Sequence, residues 1–192
     1  MGTSSLSSQE SRSPSTNPEL ELLHTQVLAC SRCGLHATRT QAVPGTGPCP
    51  ADVMVVGEAP GFNEDVQGKP FVGAAGKLLD KLLERIGRGR DTVYITNVLK
   101  CRPPQNRDPM RMLPGVGSIS RVHGQIFMRG GVAFMPVYHP AAALHNGSLV
   151  RDLEQDFDRV RGYLDEVLKP PEPEPLAEPD PEPSAEQLSL LN

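Results

Sequence analysis

The order of apolar segments between residues 52 and 138 constrains the fold more than any other feature of the sequence. Residues 52–57 (DVMVVG) and 91–99 (DTVYITNVL) are short apolar runs typical of buried strands, and residues 132–138 (VAFMPVY) predict a third. Between the first two runs, apolar side chains recur at helical spacing, at Leu78, Leu79, Leu82, Leu83 and Ile86. Because strand–helix–strand units of this kind are right-handed and parallel, we expect an α/β fold.

Each predicted strand ends in a loop that carries residues suited to a binding site. The loops are GEAPG, NVLKCRPP and HPAAAL, in chain order. In an open parallel sheet the carboxyl ends of the strands meet at one edge, where ligands bind. The sequence therefore predicts one pocket lined by all three loops. Helical spacing also predicts a helix at residues 20–29 and a last helix that includes Val150 and Val167.

The two ends of the chain differ in composition from the predicted core. Residues 1–18 contain seven serines and two threonines, and residues 169–192 begin with a Pro/Glu tract. Neither end carries enough apolar side chains to offset the entropy of ordering, so we expect both to be disordered. The folded domain is predicted at residues 19–168. The tail holds six acids and no base after Lys169, which leaves nineteen bases against seventeen acids in the rest of the chain.

A basic stretch indicates one class of partner. Residues 85–129 contain nine Lys or Arg and two acids, which suits a phosphate backbone but would also suit an ordinary solvated surface. No apolar run approaches the ~18 residues of a membrane span. No charged-then-apolar leader precedes the serine-rich start. We therefore expect a soluble, cytoplasmic protein with no membrane partner, in a compartment where paired cysteines more often hold metal than form disulfides.

Six motifs in register resemble the family 4 (iron–sulfur) uracil-DNA glycosylases. Over about residues 20–165 they are CSRC, GEAPGFNED, KPFVGAAGKLL, YITNVLKCRPPQNRDP, SRVHG and YHPAAAL. The resemblance implies a three-layer αβα fold with a short parallel sheet, of four strands in the family. It also implies a monomeric, monofunctional DNA repair glycosylase that flips uracil out of DNA and hydrolyses its N-glycosidic bond in base excision repair.

The resemblance assigns contacts with the extruded base to residues of three motifs. Phe71 would support the ring, although plain core packing is the alternative. One fixed amide at Asn97 would accept from uracil N3–H and donate to O4, a combination that cytosine reverses; an Asn at a strand end is otherwise a common turn former. Gly57 and Ala59 belong to the same predicted binding set. Leu144 matches a residue that would wedge into the duplex where the base left.

Three polar residues match the family's catalytic positions. His139 would donate to uracil O2 and stabilise the negative charge that develops there, although a His before Pro is often structural. Glu58 and Glu64 would orient the attacking water or stabilise the sugar cation, with capping of the next loop or helix as the alternative. Ala59 stands where some other glycosylase families carry an acid or amide, so no strong general base is evident.

Three cysteines match family ligands for a four-iron four-sulfur cluster: Cys30, Cys33 and Cys101. A CxxC pair alone would equally suit zinc or thiol chemistry, and Cys101 in KCRPP favours the cluster. The cluster would be structural, because hydrolysis moves no electrons. The fourth ligand is absent, and Cys49 is expected at the opposite end of the sheet from Cys101.

A piece of the family pattern is missing after Pro109. It would contain the helix with the fourth cysteine and an apolar strand from the middle of the sheet. Without that strand, residues 132–138 must pair elsewhere or leave backbone groups unpaired. The alternative function is therefore a catalytically impaired homologue that acts only as a DNA-binding or sliding-clamp-binding module.

The last residues of the chain suggest a second partner. Residues Gln187 to Leu191 (QLSLL) resemble the short peptides by which bacterial repair and replication proteins dock into the sliding clamp. An extended tether ending in a small apolar anchor would localise a repair enzyme. Leu191 stands where Phe is usual, and a tail end with no partner is the alternative.

Overall fold

A computed structural model describes residues 17–106 and 118–169 of the 192-residue chain. The helices are α1 (Pro18–Leu28), α2 (Phe62–Gln67), α3 (Ala74–Arg85), α4 (Ile119–Val122), α5 (Pro140–His145) and α6 (Ser148–Val167). The strands are β1 (Val53–Gly57), β2 (Val93–Asn97), β3 (Phe127–Arg129) and β4 (Val132–Phe134). The predictions for the serine-rich start, the junction after Pro109 and the acidic tail fall on residues outside these ranges.

The strand–helix–strand unit forms as predicted. β1 and β2 pair in parallel with Val53 opposite Val93 and Gly57 opposite Asn97, and α3 lies between them in the chain. An α/β fold is thus confirmed. Residues 43–46 run antiparallel along β2, where Thr46 exchanges backbone hydrogen bonds with Ile95. β2 is therefore an interior strand, buried along its whole length.

The hydrophobic core lies between one face of this sheet and three helices. α3, α5 and α6 contact one another. The buried apolar cluster contains Phe71, Leu79, Leu82, Leu83, Ile86, Val93, Ile95, Ala143, Leu153 and Phe157. The apolar face predicted for α3 is confirmed, since the leucines spaced three and four apart are the ones that become buried.

The other face of β1 is open to solvent. Met54 and Val56 are 60% and 48% exposed, whereas parallel strands are normally covered on both faces. The neighbouring positions on β2 are covered, because Tyr94 contacts α1, where its hydroxyl group and His24 Nε2 form a hydrogen bond (2.8 Å). Within the described ranges β1 pairs only with β2. The sheet therefore stops at the edge where the family pattern places a further strand.

The prediction of a third parallel strand at residues 132–138 is wrong. Only Val132–Phe134 is a strand, and it pairs antiparallel with β3 in a separate hairpin. The physical reason lies in the pairing: within residues 17–106 and 118–169 no strand of the main sheet pairs with this segment, so part of it pairs locally with β3. This is the outcome expected of a strand that must satisfy its backbone groups elsewhere.

α6 is the last predicted helix. It also holds the segment that contains SRVHG in place. Asp156 is fully buried and accepts hydrogen bonds from His123 Nδ1 (2.8 Å) and Arg159 Nη1 (3.0 Å). The His123 ring also lies 4.6 Å from the ring of Tyr138. This network ties SRVHG to the residue before His139. Across the described part of the chain, no helix is both long and apolar enough to span a bilayer.

Candidate active site

The loop after β1, the loop after β2 and the start of α5 meet at one cavity of about 390 Å³. This volume is within the range of small-molecule sites. The predicted residues that line it are Glu58, Ala59, Glu64, Phe71, Asn97 and His139. Most of its remaining wall comes from Pro60, Gly61, Pro103, Asn106 and Ala141. The convergence expected of three strand-end loops is present, although the third loop no longer follows a strand of this sheet.

Gly57 lies close to two other predicted site residues, Asn97 and Phe71. A side chain there would place its Cβ 2.7 Å from Phe71 Cζ and closer still to Asn97 Oδ1. Asn97 sits opposite Gly57 in the sheet and is 2% exposed. In the described ranges, no residue forms a hydrogen bond with the Asn97 side-chain amide, so the amide retains its capacity for a ligand.

The backbone at Asn97 is fixed by a lysine one turn further on. Lys100 Nζ donates to the Asn97 carbonyl and to Thr96 Oγ1, both at 2.6 Å. Burial lowers the pKa of the Lys100 ammonium. The two bonds therefore anchor the backbone at the end of β2.

Phe71 has a left-handed backbone conformation, with φ of 53°, which is costly for a residue with a side chain. Arg90 holds this turn: Nη1 donates to Pro70 O (3.2 Å) and Nη2 to Phe71 O (2.5 Å). Its Nε donates to Asp80 Oδ1 of α3 (2.6 Å). Gly76 permits the close approach, since a Cβ there would overlap the Phe71 carbonyl. The position of the Phe71 ring in the cavity is thus determined by the conformation of the Phe71 backbone.

His139 is the cap of α5 and the neighbour of the Phe71 ring. Its Nδ1 accepts from the Ala141 backbone amide (3.1 Å), so the neutral ring carries its proton on Nε2. The two ring centroids are 5.4 Å apart. Partial burial lowers the pKa of the imidazole, and the charge of Glu64 opposes that shift. The ring still has an exposed surface at the mouth of the cavity, so a neutral Nε2–H donor is available there.

The two predicted acids differ in what they contact. Glu64 Oε1 accepts from the Val72 and Gly73 backbone amides (2.9 and 3.1 Å), and Oε2 accepts from the Gly61 amide (3.1 Å). Its carboxylate therefore joins the loop after β1 to the segment that follows Phe71. Glu58 lines the cavity, and its backbone carbonyl accepts from the Leu99 amide (3.0 Å).

Arginines lie beside two of the three cysteines that match cluster ligands, Cys30 and Cys101. Arg39 donates to Cys101 Sγ (2.9 Å) and to Leu28 O (3.0 Å), near the end of α1. Hydrogen bonds from Arg32 are the main cause of the lowered pKa of the Cys30 thiol. Among the described residues, no three His, Cys, Asp or Glu side chains are grouped to hold a metal ion.

Cys49 lies at the other end of β2, as expected from the sequence. The chain runs antiparallel along β2 from Val43, whose amide bonds to Lys100 O, to Gly47, which packs on Val93. Cys49 follows Gly47, whereas Cys101 follows Lys100. A four-iron cluster is commonly held by four thiolates, so the described cysteines supply an incomplete set.

Leu144 lies on α5 outside the cavity lining and is 51% exposed. Arg90 was not predicted from the sequence. Its guanidinium bonds to backbone carbonyls about twenty residues away, and such a contact has no characteristic sequence motif. Asn106 and Arg102 were not predicted either. The run of basic residues between 85 and 129 was the available signal, but it did not distinguish a site residue from a solvated one.

Comparison with known proteins matches this chain to one superfamily. The profile of the uracil DNA glycosylase superfamily matches residues 44–165. A type-4 uracil-DNA glycosylase of Sulfurisphaera tokodaii is 40% identical over 183 residues, covering 74% of this chain and 83% of the relative. One of Archaeoglobus fulgidus is 40% identical over 175 residues, covering 70% and 88%. One of Pyrobaculum aerophilum is 55% identical over 93 residues, covering 48% and 47%.

The longer alignments contain the gap that the motifs predict. The alignment with the Sulfurisphaera protein spans 183 positions but uses 74% of 192 residues, or about 142. About forty positions of the relative therefore have no counterpart here. The 93-residue alignment with the Pyrobaculum protein uses 48% of the chain, which leaves almost no gap. The longer alignment thus includes about forty unmatched positions, whereas the shorter one includes almost none.

Proposed function

The chain belongs to the type-4 family of the uracil-DNA glycosylase superfamily, and from this premise we propose that it hydrolyses the N-glycosidic bond of uracil in DNA. The reaction breaks the bond between uracil N1 and the sugar C1′, and water adds to C1′ to leave an abasic site. The observation that carries the proposal is that Asn97, Phe71 and His139 line one cavity. An amide, a phenyl ring and an imidazole donor are what one extruded pyrimidine requires.

Recognition of the base is assigned to Phe71 and Asn97. The Phe71 ring supports one face of uracil, and the Asn97 amide accepts from N3–H while donating to O4. Gly57 leaves room for the base edge because it has no side chain, and Ala59 lines the same wall. Leu144 keeps its assignment as a wedge, in keeping with an exposed apolar side chain on α5.

Bond breaking is assigned to His139. As the electron pair leaves for the base, negative charge grows on uracil O2, and the neutral Nε2–H donates to it. Because Nδ1 accepts from the Ala141 amide, this tautomer is fixed before substrate binds. The imidazole therefore does not have to gain or lose a proton to act.

The two acids receive different assignments. Glu58 is assigned to the sugar cation and the attacking water, since it is one of the residues that line the cavity. Glu64 is a positioning residue: three backbone amides already bond to its carboxylate, which holds the Phe71 loop against the loop after β1. Substitution of Glu58 is thus expected to lower kcat, and substitution of Glu64 to affect base binding as well.

Catalysis is favoured over the alternative of a module that only binds. The missing segment opens one face of β1, yet the residues matched to the reaction still share one cavity. Incubation with a fluorescent oligonucleotide containing one uracil, followed by alkali, tests this directly. Cleavage at the uracil position is expected, and a second oligonucleotide with thymine there is the control. An intact uracil strand would contradict the proposal.

A structural iron–sulfur cluster is proposed for Cys30, Cys33 and Cys101, with zinc as the alternative metal. The support is the family and a thiolate-favouring arginine environment at the end of α1. When bound, the cluster would pin the loop after β2 without taking part in hydrolysis. Iron and sulfide analysis distinguishes it from zinc. Cys101→Ser is expected to lose the metal and Cys49→Ser to keep it; equal metal content in both would contradict the ligand assignment.

The sliding clamp is proposed as a partner through residues Gln187 to Leu191, which lie outside the described ranges. The support is the peptide pattern at the end of a Pro/Glu tether. Removal of residues 187–192 is expected to abolish binding to a bacterial sliding clamp while leaving uracil release unchanged. Clamp binding that survives the truncation would contradict the proposal.

A further inference from the structure

An exposed aromatic side chain lies at the rim of the cavity without packing on the core. Phe62 begins α2 directly after Gly61, which lines the cavity, and the side chain is 60% exposed. It does not belong to the buried apolar cluster or to the residues packed against it. A phenyl ring in this position contributes little to the stability of the fold. Its contacts at the rim of the cavity are therefore the ones that indicate a role.

Phe62 is paired with an arginine from the loop after β2. The guanidinium carbon of Arg102 lies 5.1 Å from the centroid of the Phe62 ring. Arg102 Nε donates to Asn106 Oδ1 (2.8 Å), and Asn106 and Pro103 line the cavity. The ring and the guanidinium therefore form one platform, here called the rim platform (Phe62 and Arg102), that continues the cavity wall outward.

The loop beneath the rim platform has an unusual backbone. Gln105 and Asn106 have φ of 57° and 53°, a conformation that non-glycine residues rarely adopt. Such residues concentrate at ligand-contacting sites, where the surrounding structure holds them in place. The bond from Arg102 to Asn106 is one of the contacts that hold this loop. The Arg102 guanidinium therefore contacts Asn106 on one side and the Phe62 ring on the other.

We propose that the rim platform binds the nucleotide that flanks the extruded uracil. This inference rests on the proposed function. The flanking base stacks on the open face of Phe62, and Arg102 pairs with the adjoining phosphate. Aromatic rings accept every base, because each base has a π-face, while a guanidinium matches phosphate geometry. The platform thus gives affinity for DNA around uracil without adding sequence preference.

The test compares Phe62→Ala with Val66→Ala, a matched control on the same helix. Val66 is also an exposed apolar residue, at 48%, but it has no aromatic ring and takes no part in the contact between Phe62 and Arg102. Binding is measured by fluorescence anisotropy with single-stranded DNA that carries a non-cleavable 2′-fluorodeoxyuridine. Stacking energies per base predict that Phe62→Ala weakens binding about 5-fold to 150-fold. Val66→Ala is expected to bind as the unsubstituted protein does.

A second DNA isolates the stacking contact. When the nucleotides flanking the uracil are tetrahydrofuran abasic residues, no base remains to stack on Phe62. The unsubstituted protein and Phe62→Ala should then bind with nearly equal affinity, and Phe62→Tyr should restore binding to the normal strand. Arg102→Gln should reduce the dependence of log affinity on log salt by roughly one phosphate contact.

Two results would overturn the inference. One is unchanged affinity of Phe62→Ala for the normal strand; the other is an equal loss on normal and abasic-flanked strands, which would indicate a general structural defect. Phe62→Leu keeps the apolar bulk without the aromatic face, and it replaces Phe62→Ala if that variant melts early. Because binding is measured without turnover, a protein that binds in this way but releases no uracil would contradict the proposed function alone.

Discussion

The rings of Phe71 and His139 lie against each other, with centroids 5.4 Å apart and planes inclined by 25°. They come from segments 68 residues apart in the chain, one before α3 and one at the start of α5. The proposed base platform and the proposed O2 donor are therefore one packed unit. A substitution that moves the Phe71 backbone should also displace the His139 ring. Substitutions at the contacts of Phe71 therefore test the geometry of the whole site.

The arginine that holds Phe71 gives the first prediction. Arg90→Ala removes its bonds to Asp80 and to the carbonyls of Pro70 and Phe71. Hydrogen bonds to charged groups contribute about 1.5–3 kcal/mol. Because Arg90 is partly exposed, we expect kcat/KM for uracil release to fall roughly tenfold. Arg88→Ala is the control, since its ion pair with Asp52 is 3.8 Å long and away from the cavity. Equal losses in the two variants would contradict the assignment.

Gly57 gives the second prediction. Gly57→Ala places a methyl group against Asn97 Oδ1 and the Phe71 ring, so both must shift. Misplacement by about 1 Å at a reacting centre costs on the order of 100-fold in rate, and a loss of that size is expected in single-turnover uracil release. Gly162→Ala is the control, because a Cβ there meets nothing within 4 Å. In α6 it should leave activity unchanged and raise the free energy of unfolding by about 0.5–1 kcal/mol. Normal activity of Gly57→Ala would refute the geometry.

The titration of His139 gives the third prediction. Burial lowers its pKa from the usual 6.5, so the neutral ring persists below that pH. Protonation would place a proton on Nδ1 against the Ala141 amide, so kcat/KM should fall as the pH drops through the lowered pKa. The same sign holds for stability: the contribution is present above 6.5 and is lost as the pH falls through the folded-state pKa. NMR titration of the ring measures this pKa.

A variant without an imidazole provides the check on that titration. His139→Gln retains a side-chain N–H donor but has no group that titrates in this range. Its residual kcat/KM should therefore be independent of pH between about 5 and 7. A pH profile of His139→Gln that falls in parallel with that of the unsubstituted protein would show that another group is responsible.

Two aspartates of α6 give the fourth prediction. Asp156 is fully buried between His123 and Arg159, whereas Asp158 is an exposed partner of Arg85. Asp156→Ala removes two hydrogen bonds to a buried carboxylate, and hydrogen bonds to charged groups contribute about 1.5–3 kcal/mol each, so the free energy of unfolding should fall by a few kcal/mol. Asp158→Ala should leave it nearly unchanged. Chemical denaturation measures both values, and similar values for the two would contradict the role given to the buried network.

The parts of the fold that follow from local sequence were predictable. β1, α3 and β2 form because apolar runs and helical spacing specify them within a few residues. The segment at 132–138 was not predictable in the same way, because its apolar pattern suits a parallel strand or a hairpin equally. Its pairing partner decides the outcome, and among the described residues that partner is β3 and not a strand of the main sheet.

The candidate site was predictable to the extent that motifs mark it. Asn97 and His139 stand at the ends of recognisable segments, and both line the cavity. The residues that fix their geometry were not predictable, because Arg90 and Lys100 act through backbone carbonyls and such bonds leave no spacing in the sequence. Phe62 and Arg102 likewise become neighbours only through the fold.

Discrimination between uracil and cytosine is the property that depends most closely on the Asn97 amide. Single-turnover rates of base release are measured for matched oligonucleotides that carry uracil or cytosine at one position, with the unsubstituted protein and Asn97→Asp. The unsubstituted protein should release uracil and leave cytosine. Asn97→Asp should lose much of that preference, because a carboxylate accepts from the cytosine amino group and cannot donate to uracil O4. An unchanged ratio of the two rates in Asn97→Asp would contradict the account of how this cavity reads a base.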